Sequence, residues 1–146
     1  MRSVKFKDYR WESYILASIN SEEWQDRWDV EDRLSTIIPP EAAHRGFERW
    51  TNGQTTPTSW LQTIIGAAIR RLMRNGYVER TVPIGPVAKN LGTYSLRLTK
   101  KGTARRVMIR QYFCKDCFNT GLTSPKNEEN VVCGHCRSRH VTITKL

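Results

Sequence analysis

At 146 residues with a formal net charge of +10, the chain has room for one ordinary domain, or for one small domain with a stapled appendage. Hydrophobic residues make up 38% and mean hydropathy is −0.58; no apolar run approaches the ~20 residues that a membrane helix requires. Met1-Arg2-Ser3-Val4-Lys5-Phe6-Lys7-Asp8 lacks the apolar core of a signal peptide, so the expected location is cytoplasmic: nucleoid-associated, or in a host cell if the chain is virus-encoded. The charge is unevenly placed. Residues 1–60 hold 8 Lys/Arg against 10 Asp/Glu, and residues 61–146 hold 16 against 4. A basic half of this kind favours a polyanionic partner, because each neutralised phosphate releases condensed counterions; docking on an acidic protein is the alternative.

In chain order, Tyr9 to Ile19 reads as a first helix with Trp11, Tyr14, Ile15, Ser18 and Ile19 on one face. Asn20-Ser21-Glu22-Glu23-Trp24 resembles a capping box, and Trp24, Trp28 and Leu34 continue a second short helix. All five tryptophans (Trp11, Trp24, Trp28, Trp50 and Trp60) fall in the first 60 residues, which are net acidic, so core packing is their expected use. Pro39-Pro40-Glu41 starts a third helix expected to run to Trp50, with His44 as an ordinary surface or core histidine. Thr51 to Thr56 is read as a turn. A long helix follows, with Thr56 as N-cap and Pro57 at the first position. Leu61, Ile64, Ile65, Ala68, Ile69 and Leu72 form its buried stripe, and Asn75-Gly76 ends it.

Tyr77 to Val82 reads as a strand, Pro83 to Gly92 as a turn-rich tip, and Thr93 to Thr99 as the return strand. With Arg70-Arg71-Leu72, Gly76-Tyr77-Val78-Glu79-Arg80 and Leu98-Thr99-Lys100-Lys101-Gly102, this middle third resembles the winged helix-turn-helix superfamily, MarR-like and PadR-like regulators among them. The resemblance implies an α+β fold: a mainly helical domain with a β-hairpin wing over residues 1–105. Its third helix would enter the major groove of double-stranded DNA. At matching positions Gln62, Thr63, Gly66, Ala67 and Arg70 would face base edges. Arg71, Arg74, Lys89, Arg97, Lys100, Lys101, Arg105 and Arg106 would meet phosphates.

Cys114-Lys115-Asp116-Cys117 and Cys133-Gly134-His135-Cys136 contain all four cysteines, separated by 15 residues. Paired C-x-x-C knuckles at this spacing bring four thiolates to one tetrahedral Zn²⁺ at about 2.3 Å. Disulfides need an oxidising compartment, and a redox C-x-x-C usually stands alone. Four cysteines complete the shell, so one structural zinc is expected, with no open position for catalysis. Arg106 to Phe113 and His140 to Lys145 read as flanking strands, and residues 106–146 resemble zinc-ribbon modules. Lys115 and Phe118 stand where that family often carries proline and glycine. Tyr112, Phe113 and Phe118 are expected to pack the ribbon core, with RNA stacking as the weaker alternative.

The chain shows no G-x-S-x-G, Walker loop or H-E-x-x-H, and an enzyme is not expected. The reading is a small DNA-binding transcriptional regulator. The alternative is an adaptor of a larger transcription or nucleoprotein complex, docking on a protein through residues 1–60 or the ribbon.

Overall fold

In a computed structural model, the described residues are 10–51, 53, 55–81, 94–123 and 131–145. They form an α+β fold with five helices and three small antiparallel sheets. The helices are α1 (Trp11–Ser18), α2 (Arg27–Ile37), α3 (Pro40–Gly46), α4 (Ser59–Arg74) and α5 (Lys100–Val107). β1 (Gln25–Asp26), β4 (Val78–Arg80) and β5 (Ser95–Leu98) make one sheet in the order β1-β5-β4, with Gln25 opposite Leu96 and Val78 opposite Leu98. β2 (Phe47–Arg49) and β3 (Thr55–Pro57) form a separate hairpin. In the third sheet, β6 (Arg110–Cys114) lies between β7 (Thr120–Thr123) and β8 (Val141–Lys145).

The core is organised on α1, which packs against α2, α4, α5 and β7. With neighbours on several sides it buries Leu16 and Ala17 as well as the expected Trp11, Tyr14, Ile15 and Ser18. The Ser18 hydroxyl is satisfied in the interior by donating to the Tyr14 carbonyl at 2.8 Å. α4 contributes the stripe Leu61, Ile65, Ala68, Ile69 and Leu72, with Ile64 half-buried at its margin. Burying each of these larger aliphatic side chains stabilises the fold by about 1.5–3 kcal/mol. Ile109 and Leu122, from the cysteine-bearing region, enter this same core. The expected boundary at 105/106 falls inside α5.

Three expectations are corrected here. The helix expected over Glu41–Trp50 ends at Gly46, and the chain turns into β2, paired with β3 where a turn was expected. Thr56 is therefore not an N-cap: it lies opposite Glu48 in the hairpin, and Thr58 takes the cap position of α4 without a side-chain cap bond. Periodicity over 41–50 did not reveal that the 47–49 backbone would find partners in 55–57. Arg106 and Val107 belong to α5, so the strand expected from Arg106 begins only at Arg110.

The tryptophans also depart from expectation. Trp11 is 3% exposed, but Trp24, Trp28, Trp50 and Trp60 are 44%, 39%, 55% and 45% exposed. Polar partners hold several of these rings at the surface. Arg97 lies 4.3 Å over the Trp24 ring, Arg27 lies 5.0 Å over Trp28, and Trp50 Nε1 donates to Thr56 Oγ1 at 2.7 Å.

Candidate metal centre and basic face

Each knuckle closes on a backbone turn. Phe118 N–H donates to the Cys114 carbonyl at 2.9 Å, and Arg137 N–H donates to the Cys133 carbonyl at 2.9 Å. Phe118 and Arg137 consequently take positive φ, 63° and 67°, a conformation that glycine adopts most readily. This is the structural role of the position at which Phe118 departs from the knuckle pattern. Cys114 ends β6 opposite Val141 of β8, and Lys115 N–H donates to the His140 carbonyl at 2.8 Å, which brings the two knuckles together. The four Sγ atoms lie within 4.8 Å of one another, with Cys114 to Cys136 at 3.5 Å and Cys117 to Cys133 at 3.6 Å.

These separations fit a metal site. A tetrahedron with bonds of about 2.3 Å has edges of roughly 3.8 Å, whereas a disulfide is about 2.05 Å long. The surroundings also suit thiolates. Cys133 Sγ accepts from the His135 and Cys136 N–H groups at 3.4 and 3.5 Å, Cys114 Sγ from Cys117 N–H at 3.5 Å, and Cys117 Sγ from Asn119 Nδ2 at 3.4 Å. Burial acts to raise the Cys117 pKa, but the Asn119 donors and neighbouring thiols outweigh it and bring it down to about 6. Cys136, helped by the Ser138 N–H but opposed by burial and the other three thiols, is pushed up to about 12. Four thiols crowded together cannot all ionise unless a cation joins them.

Tyr112 ties the cysteine-bearing region from within, its hydroxyl accepting from Gly134 N–H at 3.0 Å. It shares a small core with Val131, Cys114 and Cys133. Phe113 and Phe118, expected in that core, are instead 41% and 72% exposed, with ring centroids 6.2 Å apart. Phe113 lies between Tyr112 and Cys114 in β6, so strand alternation places it on the other face of the sheet. Asp116 links the knuckles by accepting from Ser138 Oγ and pairing with His140 Nδ1 at 3.1 Å; the Ser138 bond is the main cause of its lowered pKa.

On the opposite side of the core stripe, α4 exposes Gln62, Thr63, Arg70 and Arg74, with Gly66 and Ala67 half-exposed between them. Gln62 Nε2 donates to the Pro57 carbonyl at 3.1 Å and Thr63 Oγ1 to the Ser59 carbonyl at 3.3 Å. Arg71 lies on the flank facing α1 and forms an ion pair with Glu12. Arg97 pairs with Glu79 at 3.1 Å. Lys101 Nζ donates to the Asn75 carbonyl at 2.8 Å, and Lys100 and Arg105 are exposed on α5. Arg106 turns inward, donating to the Ala17 carbonyl at 2.9 Å, and burial lowers its pKa. Lys89 and the tip at 83–92 lie outside the described residues.

Two arginines missed in the sequence join this face. Arg27 at the start of α2 and Arg80 in β4 both lie over the Tyr94 ring, at 5.6 and 4.8 Å, and line one cavity with Gln62 and Gly66. Arg80 stood in the motif that carried the family resemblance, which was its available signal; Arg27 lay in a net acidic segment and had none. No protein-family model matches the chain, and none of the curated proteins or solved structures compared with it matches either.

Proposed function

We propose that the chain is a double-stranded DNA-binding protein, a winged helix-turn-helix domain followed by a structural zinc ribbon, acting as a small transcriptional regulator. One observation carries this reading: α4 buries one stripe in the core and turns Gln62, Gly66 and Arg70 outward, beside Arg27 and Arg80 from two other elements. The order is α1-β1-α2-α3-β2-β3-α4-β4-β5; with α3 and the β2–β3 hairpin taken as an insertion before the recognition helix, the remaining elements and the central place of β5 in its sheet support the winged-helix assignment. The excess of 16 Lys/Arg over 4 Asp/Glu after residue 60 supplies the phosphate attraction. Zinc is favoured as the ion because closed four-thiolate tetrahedral sites are characteristic of it, and such sites are structural.

The test is fluorescence anisotropy of the metal-loaded full chain on mixed-sequence duplex DNA at several salt concentrations. The expected result is a linear fall of log affinity with log salt, corresponding to about 4–8 phosphate contacts. Negligible binding at low salt overturns the reading.

A second reading, an adaptor that docks on a protein partner, is favoured by the exposed Trp24, Trp28, Trp50 and Trp60 in the acidic first 60 residues. Exposed aromatic rings are typical anchors of protein interfaces. It predicts weak duplex binding by the isolated chain and tight binding to a partner, lost when these tryptophans are replaced.

A further inference from the structure

Phe118 and Arg137 are the non-glycine residues with positive φ among the described residues, at 63° and 67°. They hold the same place in the two knuckles, one residue after Cys117 and one after Cys136. Glycine would close either turn without the strain that a Cβ brings. Packing does not offset that strain: Phe118 is 72% exposed, and Arg137 is exposed as well. An aromatic ring at one knuckle and a guanidinium at the other are thus both held outward, against the preference of their backbones.

The surface around Phe118 continues onto one side of the third sheet. Phe113 stands in β6 between Thr120 of β7 and Thr142 of β8. Its ring centroid lies 6.2 Å from that of Phe118, with the two planes tilted by 47°. Lys115, two residues further on, gives its N–H to the His140 carbonyl at 2.8 Å, which sets Lys115 and His140 beside the Phe113–Thr142 pair. Phe113, Lys115, His140 and Thr142 are all exposed. Tyr112 and Cys114, which alternate with Phe113, are buried on the sulfur side.

Charge identifies what covers this surface. Residues 110–145 hold six Lys/Arg against three Asp/Glu. Lys115, Arg137, Arg139 and Lys145 are exposed, whereas Asp116, the acidic residue among the described ones there, is already engaged by Ser138 and His140. The complement is a polyanion with flat apolar faces. A duplex stacks its bases on one another and has none to give a ring; an unpaired strand offers a base and a phosphate at every nucleotide. We propose that this surface is a second nucleic-acid site, for single-stranded DNA: bases stack on Phe118 and Phe113 while Arg137 and Lys115 meet phosphates. The choice of DNA over RNA rests on the reading above, because stacking on a ring does not sense the sugar.

The experiment measures anisotropy of labelled oligo(dT), oligo(rU) of equal length and a blunt mixed-sequence duplex with the metal-loaded full chain. Chemical denaturation of each variant accompanies it. Phe118→Asn removes the ring and places a residue at ease with positive φ. Its denaturation midpoint should equal or exceed that of wild type, while oligo(dT) affinity falls fivefold or more and duplex affinity stays within twofold. Arg137→Asn should also keep the midpoint, and lower the oligo(dT) salt slope by about 0.7, the value of one phosphate on a single strand. Phe113→Thr, on the exposed side of β6, should reproduce the loss of oligo(dT) affinity. A smaller loss in Phe118→Asn, a midpoint below wild type, or no oligo(dT) binding at low salt overturns the proposal. Oligo(rU) bound fivefold more tightly than oligo(dT) overturns its assignment to DNA. If oligo(dT) binding fails and duplex binding persists, the α4 reading stands without this site; ring-dependent oligo(dT) binding without duplex binding does the reverse.

Discussion

Gly102 lies directly beneath the Tyr77 backbone: a Cβ on Gly102 would overlap the Tyr77 carbonyl oxygen and come within 2.9 Å of its carbon. The contact joins the start of α5 to the end of the turn after α4. Thr99 fixes the same junction, accepting from Gly102 N–H at 2.9 Å, donating to the Gly76 carbonyl at 2.6 Å, and giving its N–H to the Tyr77 carbonyl at 3.1 Å. The motif Leu98-Thr99-Lys100-Lys101-Gly102 therefore encodes a core residue, a cap and a close approach. Gly102→Ala should destabilise the chain by roughly 2–4 kcal/mol, since backbone rather than a flexible side chain must yield, and Thr99→Ala by about 1 kcal/mol. Chemical denaturation measures both; a Gly102→Ala midpoint equal to wild type would contradict the contact.

An ion bound by the four cysteines should hold the β6–β8 region together. Without an ion, the small core among the described residues consists of Tyr112 and Val131 beside two buried cysteines, with Val141 and Ile143 half-buried against them. Chelation, or Cys133→Ser, is expected to collapse hydrogen-exchange protection in residues 110–114 and 141–145. Protection of α1 and α4, which have their own core, should largely survive. Metal content of one ion per chain by mass spectrometry under native conditions checks the stoichiometry. Protection of β6 and β8 unchanged by chelation would show that the sulfurs need no ion.

Tyr112→Phe removes the acceptor for Gly134 N–H without opening a cavity. The expected loss is about 1 kcal/mol, the net value of one such hydrogen bond, read as weaker metal retention against a competing chelator. Gly121→Ala should be worse, because a Cβ there would overlap the Tyr112 hydroxyl and reach 2.7 Å from Cε1.

Glu12 carries a pH-dependent contribution. Burial raises its pKa, but the hydrogen bond and charge of Arg71, with Glu12's own backbone N–H, bring it below the ordinary 4.5. The folded state thus favours the ionised form, so the contribution is present above 4.5 and is lost as pH falls through the lowered value. The pair is nearly half exposed, which limits the contribution to about 0.5 kcal/mol after screening. Glu12→Gln should therefore flatten the stability-versus-pH curve below 4.5 and leave its shape at neutral pH unchanged. An identical acid limb in both proteins would remove the pair from the account.

On DNA, Arg70→Ala should relax sequence preference by about 1–3 kcal/mol at one position. Lys100→Ala with Arg105→Ala should weaken all duplexes alike and reduce the salt slope by about 2. Equal losses on every sequence in both variants would refute the division between base-reading and phosphate-binding residues.

Local pattern determined much of this protein. Helical periodicity marked α1 and α4 with their buried faces, because an amphipathic stripe is a property of one segment. C-x-x-C spacing marked the four sulfurs, because each knuckle is a short-range geometry. Tertiary structure decided the rest. The β2–β3 hairpin exists because residues 47–49 and 55–57 satisfy each other's backbone. Trp24 and Trp28 stay at the surface because guanidiniums from Arg97 and Arg27 stack on them. Arg71, Arg97 and Arg106, alike in sequence, find Glu12, Glu79 and the Ala17 carbonyl. The cavity with Glu31 and Gly66 joins α2, α4, β4 and the residue before β5. An arginine's or glutamate's partner is set by which distant elements share its surface, and no local repeat in the chain records that.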